Sequence, residues 1–119
     1  MSYIDGFVLP IPSDKINEYR SMAEAAGKIW MEHGALAFRE CVAEDTKAQD
    51  MLSFPELART QNGETVIFSY IVFQSRKHRD EVNKKVMEDP RIQQSCEKYG
   101  KLFDCKRMAY GGFDILVDL

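Results

Sequence analysis

"ETVIFSYIVFQ", residues 64–74, is apolar on both of its sides. In an extended chain successive side chains point to opposite faces. Val66, Phe68, Tyr70 and Val72 then share one face, and Ile67, Ile71 and Phe73 share the other, where only Ser69 is polar. A run so rich in β-branched and aromatic residues reads as a strand. A strand apolar on both faces needs a covering layer on each side. Asn62-Gly63, just before it, is a strong turn signal.

Three more strands and two main helices surround this one. "YIDGFVLPIP" (3–12) alternates and is brought to an end by Pro10 and Pro12. "ALAFRECVAE" (35–44) is the second strand. "KRMAYGGFDILVDL" (106–119) is the last, and its Gly111-Gly112 pair predicts a bulge or a close backbone approach. "SDKINEYRSMAEAAGKIWMEHG" (13–34) has Ser13 as an N-cap, and Ile16, Tyr19, Ala23, Ala26, Trp30 and His33 along one face. Gly34 stands where a C′ glycine ends a helix. "SRKHRDEVNKKVMEDPR" (75–91) has Ser75 as N-cap, Val82 and Val86 as its buried line, and Asp89-Pro90 as its stop. "RIQQSCEKYGKLF" (91–103) adds a short, weak helix. "DTKAQDMLSFPELARTQNG" (45–63) is a long irregular connection, of the kind that often carries function.

The order β-α-β-β-α-β has one common solution. It is the ferredoxin-like α+β fold: a four-stranded antiparallel sheet with two main helices on one face, here one domain over residues 1–119. Helices on one face leave the other face of the third strand bare, and a large exposed apolar patch is unusual on a monomer. A second copy packed sheet to sheet is the simplest cover, so a homodimer is expected.

The 119 residues carry a net charge of −3, and 45% of them are hydrophobic. An acidic chain has no general attraction to nucleic acid or to an anionic membrane. The N-terminal "MSYIDGFVLP" has neither the basic region nor the apolar core of a signal peptide, which points to the cytoplasm. Cys41, Cys96 and Cys105 are odd in number and form no CxxC pair. They read as reduced, buried thiols, with a catalytic thiol as the alternative. His33, His78 and the cysteines lack metal-ligand spacing, so no metal is expected.

His33 follows Trp30 by one turn. It is the best candidate for a general base at the end of a pocket, or else a cap at the negative end of the helix dipole. His78 and Arg79 flank the buried line in the first turn of the second helix, with Asn83 one turn on. An anion site at that N-terminus would lack a glycine-rich approach. Most of the charge nearby belongs to a solvated surface, where Asp80–Lys84 and Glu81–Lys85 stand in the favourable acid-first order. Asp5 lies between Tyr3 and Phe7 on one face of its strand and needs a partner, for which Arg107 on the neighbouring last strand is the candidate. Tyr110 either donates a hydrogen bond to a ligand or packs at an edge.

"YIDGFVLPIP", "WMEHGAL", "ECV", "SFPELA", "GETVIFSYIVFQSRKHRDEVNKKVMEDPR" and "KRMAYGGF" together resemble the YbaA-like bacterial proteins, a domain family of unknown function. That family is similar in fold to the dimeric α/β-barrel superfamily. The resemblance implies paired ferredoxin-like protomers with ligand pockets between sheet and helices. Superfamily members include cofactor-free monooxygenases, isomerases and haem-degrading enzymes, but none of their catalytic motifs maps onto this chain. The expectation is a cytosolic homodimer that binds a small organic ligand without a cofactor, as a monooxygenase or isomerase if it is an enzyme. Trp30, His33, His78, Arg79, Asn83 and Tyr110 are the candidate ligand-binding residues. The rival is a non-enzymatic interaction module using the 45–63 connection as its contact surface.

Overall fold

The computed structural model describes residues 2–119 and joins four strands into one antiparallel sheet in the order β2-β3-β1-β4. The strands are β1 (Tyr3–Pro12), β2 (Ala37–Val42), β3 (Glu64–Phe73) and β4 (Ala109–Asp114). The helices are α1 (Ile16–Glu32), α2 (Phe54–Leu57), α3 (Arg76–Glu88) and α4 (Pro90–Tyr99). This is the expected ferredoxin-like arrangement, with β1 and β3 at the centre. Pro10 and Pro12 do not cut β1 short. They lie beyond Val8, the last β1 residue paired to β4, where β1 has a partner on one side only.

The register sorts the side chains. Leu9, Ile11, Ile67, Ile71 and Phe73 point to the helices and are all buried. Tyr19, Ala23 and Ile29 from α1, Val82 and Val86 from α3, and Ile92 from α4 pack against them. The opposite face carries Ile4, Val8, Phe68, Tyr70, Val72 and Phe113. Phe68 is 45% exposed and Phe113 is 60% exposed. Val66 at the start of that face is buried, and from Phe68 onward the second apolar face of β3 is open in a single chain.

Local chemistry sets most of the helix ends. His33 is the C-cap of α1, and Gly34 follows at φ 114°, a left-handed conformation that favours glycine. Ser75 Oγ accepts a hydrogen bond from the His78 amide at 3.1 Å and caps α3. Asp89 ends α3 and caps α4 by accepting from the Arg91 amide at 3.0 Å, with Pro90 at the first helical position.

Three expectations change. Ser13 does not cap α1, because a short 3-10 turn (Ser13–Lys15) intervenes and brings no side-chain cap. The segment after Asp89 forms a full ten-residue helix rather than a weak one, since Asp89 and Pro90 start it well. Neither Asp80–Lys84 nor Glu81–Lys85 closes; Asp80 turns back to its neighbour Arg79 instead.

The Gly111-Gly112 pair is a close approach without a bulge. Both residues stay in continuous register with β1, and a methyl group on Gly112 would fall on the Tyr3 ring. All three cysteines are free and exposed, not buried. Cys41 sits on the bare face of edge strand β2, Cys96 on α4, and Cys105 in a 3-10 turn before β4.

Candidate functional site

Two carboxylates on the helix-facing side of the sheet are shielded from solvent, one on β1 and one on β2, while Asp114 at the end of β4 is exposed. Across the sheet Glu40, Ser69, Phe7 and Tyr110 form one row, and Phe38, Ile71, Asp5 and Gly112 form the next. A carboxylate under helices needs charge or hydrogen-bond partners. The two find different ones.

Asp5 is 1% exposed. Its Oδ1 accepts from Arg79 Nη1 at 2.9 Å, and its Oδ2 accepts from Asn83 Nδ2 at 3.2 Å. Arg79 Nη1 also donates to Tyr110 Oη at 2.7 Å, and its guanidinium lies 5.0 Å from the centre of the Tyr3 ring. Its Nε is 2.9 Å from Asp80 Oδ1, but the N–H is not aligned with that oxygen, so the contact is one of charge alone. Asn83 Oδ1 accepts from Trp30 Nε1 at 3.0 Å. Burial and then the Asp5 charge push the Tyr110 hydroxyl above its ordinary pKa, so it stays a hydroxyl. Asp5 is thus paired with Arg79 on α3, and not with Arg107. Arg107 reaches Glu64 instead, through two 2.8 Å hydrogen bonds across the start of β3.

Glu40 faces a different surrounding. Tyr19, itself 5% exposed, donates from its hydroxyl to Glu40 Oε2 at 2.6 Å. Burial raises the Glu40 pKa, while the hydrogen bond from Tyr19 and the neighbouring Ser69 hydroxyl oppose that rise. Burial and the neighbouring Glu40 raise the Tyr19 pKa strongly, so Tyr19 remains the donor. No cation pairs with Glu40 among the described residues.

Glu40 borders a cavity of about 490 Å³ between the sheet, α1 and α4. Its walls are mainly Phe7, Leu9, Ala23, Ala26, Trp30, Phe38, Ile71, Ile92, Tyr99 and Phe103, with Ser69 and Ser95 as small polar groups. An outer cleft of about 640 Å³ lies between α1 and β2, and shares Tyr19, Ala23, Phe38 and Glu40 with the inner cavity. The Phe38 ring stands close to Gly27, where a methyl group would come within 2.7 Å of it. Both volumes fall in the range of roughly 300–1,000 Å³ usual for small-molecule sites.

The residues singled out from sequence divide accordingly. Trp30 lines the cavity, and its indole N–H is already held by Asn83. Arg79, Asn83 and Tyr110 come together around Asp5. His33 Nε2 lies 2.9 Å from Asp89 Oδ2, at the junction of α1 with α3 and α4, and is not in the cavity wall. Hydrogen bonds from Arg91 and then His33 hold the Asp89 pKa far below its ordinary value. His78 Nδ1 accepts from the Gln74 amide at 3.0 Å, and its ring stands edge-on to Phe73. Both histidines are thereby tied to local structure. Glu40 and Tyr19 were missed. Their signal was an acid at an inward position of β2, beside the one polar interruption of β3.

A βαββαβ sheet roofed by helices on one face and largely apolar on the other, with a cavity under the roof, is a ferredoxin-like α+β fold. Comparison with known proteins agrees. Residues 2–105 match the family described as "Protein of unknown function (DUF1428)", and the chain belongs to that family. It is 41% identical to the uncharacterized protein YbaA of Escherichia coli K12 over 118 residues, 99% of each chain. The YbaA of Shigella flexneri matches equally well. Among solved structures, the cofactor-independent oxygenase SnoaB from Streptomyces nogalater has a TM-score of 0.61 at 9% identity, covering 99% of this chain and 96% of that one. A nipsnap family protein of unknown function from Agrobacterium tumefaciens has a TM-score of 0.60 at 16% identity, over 94% and 86%. These structures share the fold.

Proposed function

We propose that the chain binds a small, mainly apolar organic molecule in the cavity between the sheet, α1 and α4, with Glu40 as the polar group that holds it. The observation that carries this reading is a half-buried carboxyl with a raised pKa in a mainly apolar wall, facing the Tyr19 hydroxyl and no cation. A carboxylate raised toward neutral pH is suited to taking a proton from a bound molecule. Proton abstraction needs no cofactor, and SnoaB is a cofactor-independent oxygenase on the same fold. The Asp5–Arg79–Asn83 network supports the site through Trp30, whose ring it fixes in the cavity wall.

The working unit in this reading is a cytoplasmic homodimer of single-domain chains paired through the bare sheet face. A hollow of about 600 Å³ on that face is lined by Ile4, Gly6, Val8, Phe68, Tyr70 and Phe113. The 45–63 connection extends the same surface, because Phe54 of α2 stacks on Phe68 with ring centres 6.1 Å apart. Met51, Leu52 and Leu57 of the same connection are exposed and apolar as well.

Native mass spectrometry of freshly purified protein tests both parts. The expected result is a dimer with a retained metabolite that an Ala26→Trp variant no longer holds. A metabolite retained equally by that variant would place it elsewhere and end the cavity reading. Phe68→Glu should convert the dimer to a 13.7 kDa monomer in light scattering. A wild-type chain already monomeric at micromolar concentration would end the dimer reading.

A further inference from the structure

The inner cavity and the outer cleft share Glu40 but differ in charge. Arg20 and Lys28 line the cleft, together with Glu24 and Glu32. The inner wall contains no arginine, lysine or histidine, and Glu40 is its single carboxylic acid. An anionic ligand would meet a carboxyl and no positive partner there. A cationic ligand would trade its hydration for one half-buried carboxylate, an exchange in which desolvation commonly outweighs the attraction. The remaining polar wall consists of the hydroxyls of Tyr19, Ser69, Ser95 and Tyr99 and the free thiols of Cys96 and Cys105, and the Trp30 N–H is already engaged by Asn83. Glu40 Oε2 takes the Tyr19 hydroxyl, which leaves acceptor capacity on the carboxyl for a donor arriving from the cavity.

From this arrangement, and resting on the cavity reading above, we infer that the ligand is uncharged, largely apolar, and donates one hydrogen bond to Glu40 through a hydroxyl-type group. Carboxylates and phosphates are rejected by the same carboxyl. Aromatic walls from Trp30, Phe38, Phe7 and Phe103 accept a compact ring system.

Trp30 is the one tryptophan of the chain and lines the inner cavity but not the outer cleft. Its fluorescence therefore reports inner occupancy. The probes are four decalin derivatives that do not absorb where tryptophan does: the 2-alcohol, its methyl ether, the 2-carboxylate and the 2-amine. The alcohol should bind about tenfold tighter than the ether, the ~1.4 kcal/mol of one hydrogen bond, and the carboxylate should not bind. In Glu40→Gln the gap between alcohol and ether should close, because an amide both donates and accepts.

A carboxylate or an amine that binds as well as the alcohol overturns the inferred class and leaves the cavity reading intact. An alcohol–ether gap that persists in Glu40→Gln overturns Glu40 as the recognising group. No uptake of any probe overturns the cavity reading and this inference with it. The wild-type series alone decides the class, so the result does not depend on how well the variant folds.

Discussion

Asp5 and Glu40 are both carboxylates under the helical roof, one row apart on the same sheet. Asp5 is met by a guanidinium and an amide that reach it from α3, 74 and 78 positions along the chain. Glu40 is met by hydroxyls and by space. The first is compensated and closed, and its chemistry is spent on holding α3 to β1 and Trp30 in place. The second is uncompensated and borders a cavity, the condition in which a carboxyl stays available to a ligand. Partners separate the two acids: Asp5 is fully buried and paired, and Glu40 is half-buried without a cation.

The difference is broken most directly at Asp5. Asp5→Ala leaves the Arg79 charge buried without its counter-ion and should cost about 3–5 kcal/mol of stability in denaturant unfolding. A loss below about 1 kcal/mol would mean that the network contributes little. Asn83→Ala removes one Asp5 donor and leaves the Trp30 N–H unpaired, and should cost about 1–3 kcal/mol. It should also shift Trp30 emission, and an unchanged spectrum would show that Asn83 does not position the ring.

Glu40→Gln should act in the opposite direction. The amide carbonyl can still accept from Tyr19, while the cost of burying a charge disappears, so about 0.5–2 kcal/mol should be gained at neutral pH. The folded pKa of Glu40 lies above its unfolded value. The folded chain therefore takes up a proton first as pH falls, and the wild type recovers stability on the way down. The gap between variant and wild type should be widest at neutral pH and gone below about pH 4, under the unfolded value of ~4.3. A gap that is constant across this range would remove the charge argument for Glu40.

Glu64 supplies a third, smaller case: a carboxylate paired by Arg107 at the rim, with its pKa lowered to about 2 chiefly by that hydrogen bond. Its contribution is present above the unfolded value and lost as pH falls toward about 2. Glu64→Gln should cost about 1 kcal/mol at neutral pH and nothing at pH 2, as followed by urea unfolding. An equal cost at both pH values would assign the loss to packing.

The architecture was legible because alternation and glycine placement are local signals. The two apolar faces of β3, Gly34 after α1 and Ser75 before α3 each fixed an element without knowledge of the rest. Ser13 misled because capping depends on the backbone angles of the next three residues, which here make a 3-10 turn. The site was half legible. Trp30, Arg79, Asn83 and Tyr110 were singled out, but the network that joins them centres on Asp5, which bonds Arg79 and Asn83 directly, and the sequence offered Arg107 on the adjacent strand as the nearer choice. His33 drew attention as the titrating residue at a helix end, yet Asp89 engages its ring outside the cavity wall. Glu40 was hidden because an acid on an edge strand ordinarily faces water. Only the register that sets it beside Ser69, together with the α1 roof, turns it inward.

Gly27 and Phe38 meet at the middle of α1, where a single added methyl would collide with the ring. That contact fixes how near the roof stands to the sheet, and so sets the bore of the passage beside Glu40. An alanine at position 27 with a leucine at 38 would widen or narrow the passage while leaving every polar partner of Glu40 and Asp5 in place. In the proposed reading, size selection therefore falls to Gly27 and Phe38 and chemical selection to Glu40, and a descendant of this chain could change the girth of the proposed guest without relearning how to hold it.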